Sequence, residues 1–246
     1  MYRSLSLITS RTLLIAGVIG LSGLPAGAQK DDSKPQTPAP ASPATGQSDA
    51  KPQAKPGRDR WLVKTAADAD ALDIKKRPEP STVEKLLGLP RPKDFTLEAT
   101  PPQYQEKRAG PVEKTIYTVE ADVVECRLMP DGDYRVVIKG AKGETMVLEM
   151  PDPNPQFVDP KGPFAYAMKS AREIFDSKVK PEKTAKPLEL HAKITGLGFF
   201  GRAYGKTPAK GNLIQLHPVV DFEWLSKPSE EFETTRKAAD MSSDKK

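Results

Sequence analysis

Between Thr115 and Met129 the chain alternates apolar and polar residues at period two, and midway the phase of that alternation slips. Tyr117, Val119, Ala121 and Val123 alternate with Thr118, Glu120 and Asp122, but beyond Val123-Val124 the apolar set becomes Val124, Cys126 and Leu128. Period two marks a strand with one buried face. A slip of one residue marks a β-bulge, where the extra residue returns successive side chains to the same face and bends the strand. A long, bent first strand suits a small sheet that curls and closes on itself. Pro130-Asp131-Gly132-Asp133 then reads as a turn, and Tyr134, Val136 and Ile138 alternate with Arg135, Val137 and Lys139 as a second strand. Gly140-Ala141-Lys142-Gly143 turns into a third strand, Thr145 to Met150, with Met146, Leu148 and Met150 on one face.

Pro151-Asp152-Pro153-Asn154-Pro155 stops the third strand, and Gly162-Pro163 introduces a helical pattern from Phe164 to about Lys178. Phe164, Ala167, Met168, Ala171, Ile174 and Phe175 fall on one stripe at spacings of three and four. Two strands follow: Leu188 to Gly198 with Leu190, Ala192 and Ile194 inward, and Ile214 to Trp224 with Leu216, Val220, Phe222 and Trp224 inward. The order β-β-β-α-β-β predicts a mainly-β domain over residues 111–225, a small five-stranded OB-like barrel with the helix between its third and fourth strands.

The segments outside this domain differ in composition. Arg3 and Arg11 precede an apolar run from Leu13 to Leu24, and Pro25-Ala26-Gly27-Ala28 offers the small residues a signal peptidase accepts, so residues 1–28 read as a signal peptide cleaved between Ala28 and Gln29. About a dozen apolar residues span only ~18 Å as a helix, short of a ~30 Å hydrocarbon core. The mature protein is therefore expected to be exported, periplasmic or extracellular, with no transmembrane segment after signal removal. Residues 29–57 carry six prolines and no aromatic, the composition of a disordered linker. Residues 58–110 read as an arm docked on the main domain. Arg60 to Lys64 is its short extended piece, and Ser81 with Glu84 form a capping box for a short helix ended by Gly88. Residues 226–246 hold five acids and five bases with Phe232 and Met241 as the large apolar residues, a flexible charged tail or a frayed helix. A single Cys excludes an intramolecular disulfide framework, and Cys126, placed within a strand, reads as a small buried hydrophobe.

The run Thr195-Gly196-Leu197-Gly198-Phe199-Phe200, then Gly205-Lys206, then Ile214-Gln215-Leu216-His217-Pro218-Val219, resembles an uncharacterised family of exported bacterial proteins. That family shares a T-G-x-G-F-F stretch, a glycine-rich loop and an I-x-L-H-P-V ending. Asp131-Gly132-Asp133-Tyr134 and Pro151-Asp152-Pro153 extend the likeness, which covers roughly Trp61 to Phe222. The resemblance implies an exported, OB-like domain with these limits and brings no activity. It also implies a histidine where this chain has Tyr204, so a histidine-dependent role at that position is not expected here.

Charge gives little guidance to function. Residues 111–225 hold 16 Lys and Arg against 16 Asp and Glu, so a broad basic footprint for nucleic acid is not evident. The local exception is the loop between the last two strands, with Arg202, Lys206 and Lys210 near Phe199, Phe200 and Tyr204. Cations among aromatics suit single-stranded nucleic acid or glycans, although Phe199 and Phe200 equally suit a barrel core. Arg127 and Arg135 beside the hairpin between the first two strands, and His217 on the last strand, complete the candidate ligand residues. His217 and His191 take outward parity, and together with Asp221 or Glu189 they form a loose metal or acid-base pattern. Pro218 suggests an edge strand. Glu125, Asp131 and Asp133 with Arg127 and Arg135 are the residue types of a calcium-dependent nuclease, or of an ordinary hairpin turn. No pattern is specific enough to assign a catalytic residue, a metal ligand or a cofactor. The reading is an exported, non-enzymatic binding module for an unknown ligand, nucleic acid, glycan or another polyanion. The alternatives are a metal-assisted nuclease or envelope hydrolase, and a module whose arm or tail engages an envelope protein.

Overall fold

Strand β2 (Ile116–Leu128) is the hub of the molecule, because other strands pair along both of its edges. In this computed structural model the described residues are 59–203 and 211–243, all within the unit Asp49–Lys246. The expected signal peptide with its Ala28-Gln29 cleavage site, the expected linker, and Tyr204, Lys206 and Lys210 lie outside the described residues.

The sheet is mixed and six-stranded, and the described part of the chain is mainly β. The short strand β1 (Glu79–Pro80) runs parallel to β2. Strands β3 (Tyr134–Lys139) and β4 (Thr145–Met150) continue antiparallel. The long strands β5 (Lys186–Phe200) and β6 (Ile214–Leu225) pair antiparallel with each other. A two-residue parallel contact joins β4 to β6, and β5 pairs back onto β2, so five strands form a ring in the order β2-β3-β4-β6-β5. The register of β2 shifts between Val123 and Glu125 against both neighbours, at the bulge expected there, and the bent strand pairs with β5 from Ile116 to Cys126 and with β3 from Asp122 to Leu128.

Inside the ring lie Val119, Ala121, Val123, Cys126, Val136, Ile138, Leu148, Ile194, Leu216 and Phe222, each under 2% exposed. Complete burial of the Val, Ile, Leu and Phe side chains among them contributes roughly 1.5–3 kcal/mol apiece. Helix α3, counted after α1 (Trp61–Lys64) and α2 (Val83–Leu87), spans Ala165–Asp176 and sends Phe175 against Tyr134, Phe222 and Trp224. A second apolar cluster, with Ala66, Ala71, Ile74, Phe164, Met168 and Leu197, joins the arm to the outside of β5.

Several expectations are corrected. In β6 the inward valine is Val219 rather than Val220, which packs on the second cluster, because the register against β5 shifts twice between Thr195 and Gly198. Pro218 falls in that irregularity, where its missing N–H breaks no regular ladder, and β6 is an inner strand with partners on both sides. The Arg60–Lys64 segment is not extended: Trp61–Lys64 is helix α1. Thr82, not Ser81, caps α2, accepting the Lys85 N–H at 3.2 Å, and Gly88 is right-handed. The C-terminal segment, read as a solvated tail or a frayed helix, is helix α4 (Glu230–Ser243), which buries Phe232.

Candidate functional site

Of the residues expected to form one ligand face, the described ones are not brought together on an open surface. Phe200 is in the main core, and Phe199 is buried with its ring 5.1 Å from that of His217. Arg202 lies 3.1 Å from Asp59, and Arg135 donates to Glu149 at 2.9 Å. Arg127 stands opposite Arg135 in the β2–β3 ladder. His217 has the parity expected, opposite to Leu216, yet it is 0% exposed. The reason is the arm: Lys64 of α1 reaches to 5.8 Å from the Phe199 ring, so the outer face of the strands is covered rather than wet. His191 pairs with neither Glu189 nor Asp221 in the structure. Its two ring nitrogens lie 2.9 Å from Asp122 and 2.8 Å from Glu120 on the adjoining strand β2.

His217 instead meets two carboxylates from different strands. Asp133 ends the turn before β3, Glu149 is on β4 and His217 on β6, and one potential ligand atom from each lies within 4.8 Å of the others. Nδ1 of His217 is 3.2 Å from Glu149 Oε2, close enough for electrostatic contact but not aligned as a hydrogen bond, and Nε2 has no hydrogen-bond partner. Burial drives the His217 pKa down, against the pull of Glu149. The Glu149 carboxyl is pushed up by burial, but the adjacent imidazole together with the charges of Lys64 and Arg135 outweighs that and holds it at about 2. The site thus combines an anionic carboxylate with a buried imidazole whose charged form burial disfavours. Of the acids expected to flank the first hairpin, Asp133 joins this cluster and Glu125 and Asp131 do not.

An open groove of about 600 Å³ lies elsewhere, floored by Thr118, Val119 and Glu120 of β2 and walled by α2 and α4. Each wall is fixed by a carboxylate. Glu84 of α2 accepts the Lys142 backbone N–H at 2.9 Å, which ties α2 to the turn between β3 and β4. Glu120 accepts the Ser229 N–H at 2.7 Å, which anchors the start of α4. Further along α4, Phe232 packs edge-on against His191 with centroids 4.7 Å apart, and Arg236 donates to both oxygens of Asp122 at 3.0 Å. Lys85, Lys142 and Lys193 line the groove, all exposed and none in an ion pair among the described residues. Ser81, Thr82, Ser229 and Thr235 add hydroxyls. Two of the three acids in the lining, Glu84 and Glu120, are already engaged as described, which leaves Glu231. The groove was not read from the sequence because one wall is a helix built on a single buried aromatic, Phe232. An isolated Phe in a charged segment gives no amphipathic signal.

No protein-family model and no curated protein matches this sequence. Among solved structures the chain is similar to Entamoeba histolytica asparaginyl-tRNA synthetase in complex with asparaginyl-adenylate, with TM-score 0.30 and 12% identity over 49% of this chain and 22% of that chain. A second structure of Entamoeba histolytica asparaginyl-tRNA synthetase gives TM-score 0.29 and 12% identity over 48% of this chain and 22% of that chain. This chain spans less than a quarter of the synthetase, and the likeness carries no argument about fold or activity. Among the described residues no helix is long and apolar enough to cross a membrane.

Proposed function

We propose that the protein is an exported, non-enzymatic binding module on an OB-like barrel, and that it holds an anionic glycan in the groove between α2 and α4. The barrel reading is supported by the ring of five strands and by the place of α3 between the third and fourth of them. The ligand reading rests on one observation, the three unpaired lysines of the groove among five hydroxyl-bearing side chains, Thr118 on the floor included. Its volume lies within the usual ~300–1,000 Å³ of ligand clefts. Ammonium groups attract carboxylate or sulfate, and hydroxyls exchange hydrogen bonds with sugar hydroxyls. Single-stranded nucleic acid is disfavoured by the lining, because base stacking needs open aromatic faces and the one aromatic there, Phe232, is buried against His191.

Calorimetric titration of the full chain with a uronic-acid hexasaccharide and with its neutral counterpart tests this. The anionic sugar should bind and weaken as salt rises, since exposed charge pairs are screened beyond ~8–10 Å at 0.1–0.15 M. Equal binding of the neutral sugar, or tighter binding of a single-stranded oligonucleotide, would count against the assignment.

A further inference from the structure

We propose that Asp133, Glu149 and His217 bind one divalent transition-metal ion, with zinc the ion their donor set suits best. The inference is independent of the groove, whose lining shares no residue with this cluster. It begins with His217, which is 0% exposed and whose Nε2 has no hydrogen-bond partner. A buried polar atom without a partner costs on the order of 1–3 kcal/mol, and native proteins satisfy nearly all such atoms. Nδ1 is likewise without an aligned hydrogen bond and lies 3.2 Å from Glu149 Oε2, so it is the nitrogen set beside the carboxylates and placed to ligate an ion.

The surroundings supply the rest of a coordination sphere. Potential ligand atoms of Asp133, Glu149 and His217 lie within 4.8 Å of one another, so small side-chain rotations bring them to the ~2.0–2.2 Å reach of a zinc ion. The three residues come from the turn before β3, from β4 and from β6, and the first two are held by neighbours. Arg135 occupies Glu149 Oε1 at 2.9 Å and leaves Oε2 directed at His217. The Asp152 N–H donates to Asp133 Oδ1 at 2.9 Å. Outer partners that orient a ligating carboxylate are the ordinary support of a metal site. A cavity of about 20 Å³, lined by Glu149, Lys64, Phe199 and Gln215 among others, adjoins the Glu149 side of the cluster and has room for one water.

The same geometry selects against calcium, which takes about six to eight oxygen ligands. Two carboxylates and an imidazole form too small and too nitrogen-rich a set. Lys64 and Arg135 nearby temper affinity for any cation, so the bond to His217 must carry much of the selectivity.

The test uses the full chain, treated with chelator and dialysed. Zinc should bind with a stoichiometry of one and raise Tm, cobalt should give a visible absorption band of a low-coordinate N/O site, and calcium should leave Tm unmoved. Glu149→Gln keeps an acceptor for Arg135, and Asp133→Asn keeps an acceptor for the Asp152 N–H. Each should fold, as circular dichroism will show, and each should weaken zinc binding at least tenfold. If one variant fails to fold, the other carries the test. Failure of the wild type to bind zinc, calcium binding as tightly as zinc, or unchanged zinc affinity in a folded variant would overturn the proposal.

Discussion

Arg60 and Glu113 form a two-pronged ion pair in the interior, with Nη1 2.7 Å from Oε1 and Nη2 2.6 Å from Oε2 and both side chains essentially unexposed. The Arg60 guanidinium also donates to the carbonyls of Tyr104 and Lys107, and Glu113 accepts the backbone N–H of Phe200. One pair thus fastens the start of the arm, its end and the end of β5. Truncating one member leaves the other charge buried without compensation, which costs about 3–5 kcal/mol. Glu113→Ala should therefore lower the midpoint of urea unfolding substantially, while the exposed pair Lys169–Glu173, broken by Glu173→Ala, should change it by less than about 1 kcal/mol. Equal effects of the two variants would contradict this account of the arm.

How much of this was legible in the sequence depends on distance along the chain. The bulge after Val123 was visible because it is a local fault in a period-two pattern, and the hairpins followed from Asp131-Gly132 and Lys142-Gly143. Local pattern missed the second fault, at Pro218, because the valines on both sides of it, Val219 and Val220, are equally apolar. The ion pair of Arg60 with Glu113 spans 53 positions, and neither residue is unusual where it stands. His217 was placed on the correct side of its strand, but its burial depends on the arm and on Lys64. Asp133, Glu149 and His217 have no characteristic spacing, since three separate elements bring them together.

Helix α4 should loosen in acid before the ring does. The groups facing its anchor are Glu120, His191 and Asp122 of the strands and Arg236 and Glu233 of the helix itself. Burial pushes the Glu120 carboxyl up, but the Ser229 N–H and the His191 ring bonded to it leave its pKa below the ordinary value. A carboxylate whose folded pKa is depressed stabilises the fold above its unfolded pKa, ~4.3 for Glu, and that contribution fades as pH falls through the folded value. Hydrogen exchange corrected for intrinsic rates should show residues 230–243 losing protection below about pH 4, ahead of β2 and β5. Parallel loss in the helix and in the strands would refute a separable anchor.

Phe175 should be the most sensitive position of α3. Its ring meets Phe222 edge-on at 5.4 Å and Trp224 at 5.3 Å, and it is fully buried, whereas Tyr166 on the same helix is 85% exposed. Phe175→Ala should cost about 3–5 kcal/mol through the cavity it leaves. Tyr166→Ala should stay within about 0.5 kcal/mol. Denaturant titrations of the two variants read this directly, and a small loss at Phe175 would mean that α3 does not complete the core.

The groove is tested most directly by one comparison, the affinity of the uronic-acid hexasaccharide for the wild type and for the triple variant Lys85→Ala, Lys142→Ala, Lys193→Ala. All three side chains are exposed and outside ion pairs among the described residues, so the variant should keep its Tm within a few degrees. The account predicts at least a tenfold loss of affinity together with a flatter dependence on salt. Unchanged binding by a folded triple variant would contradict it and place the ligand elsewhere on the molecule.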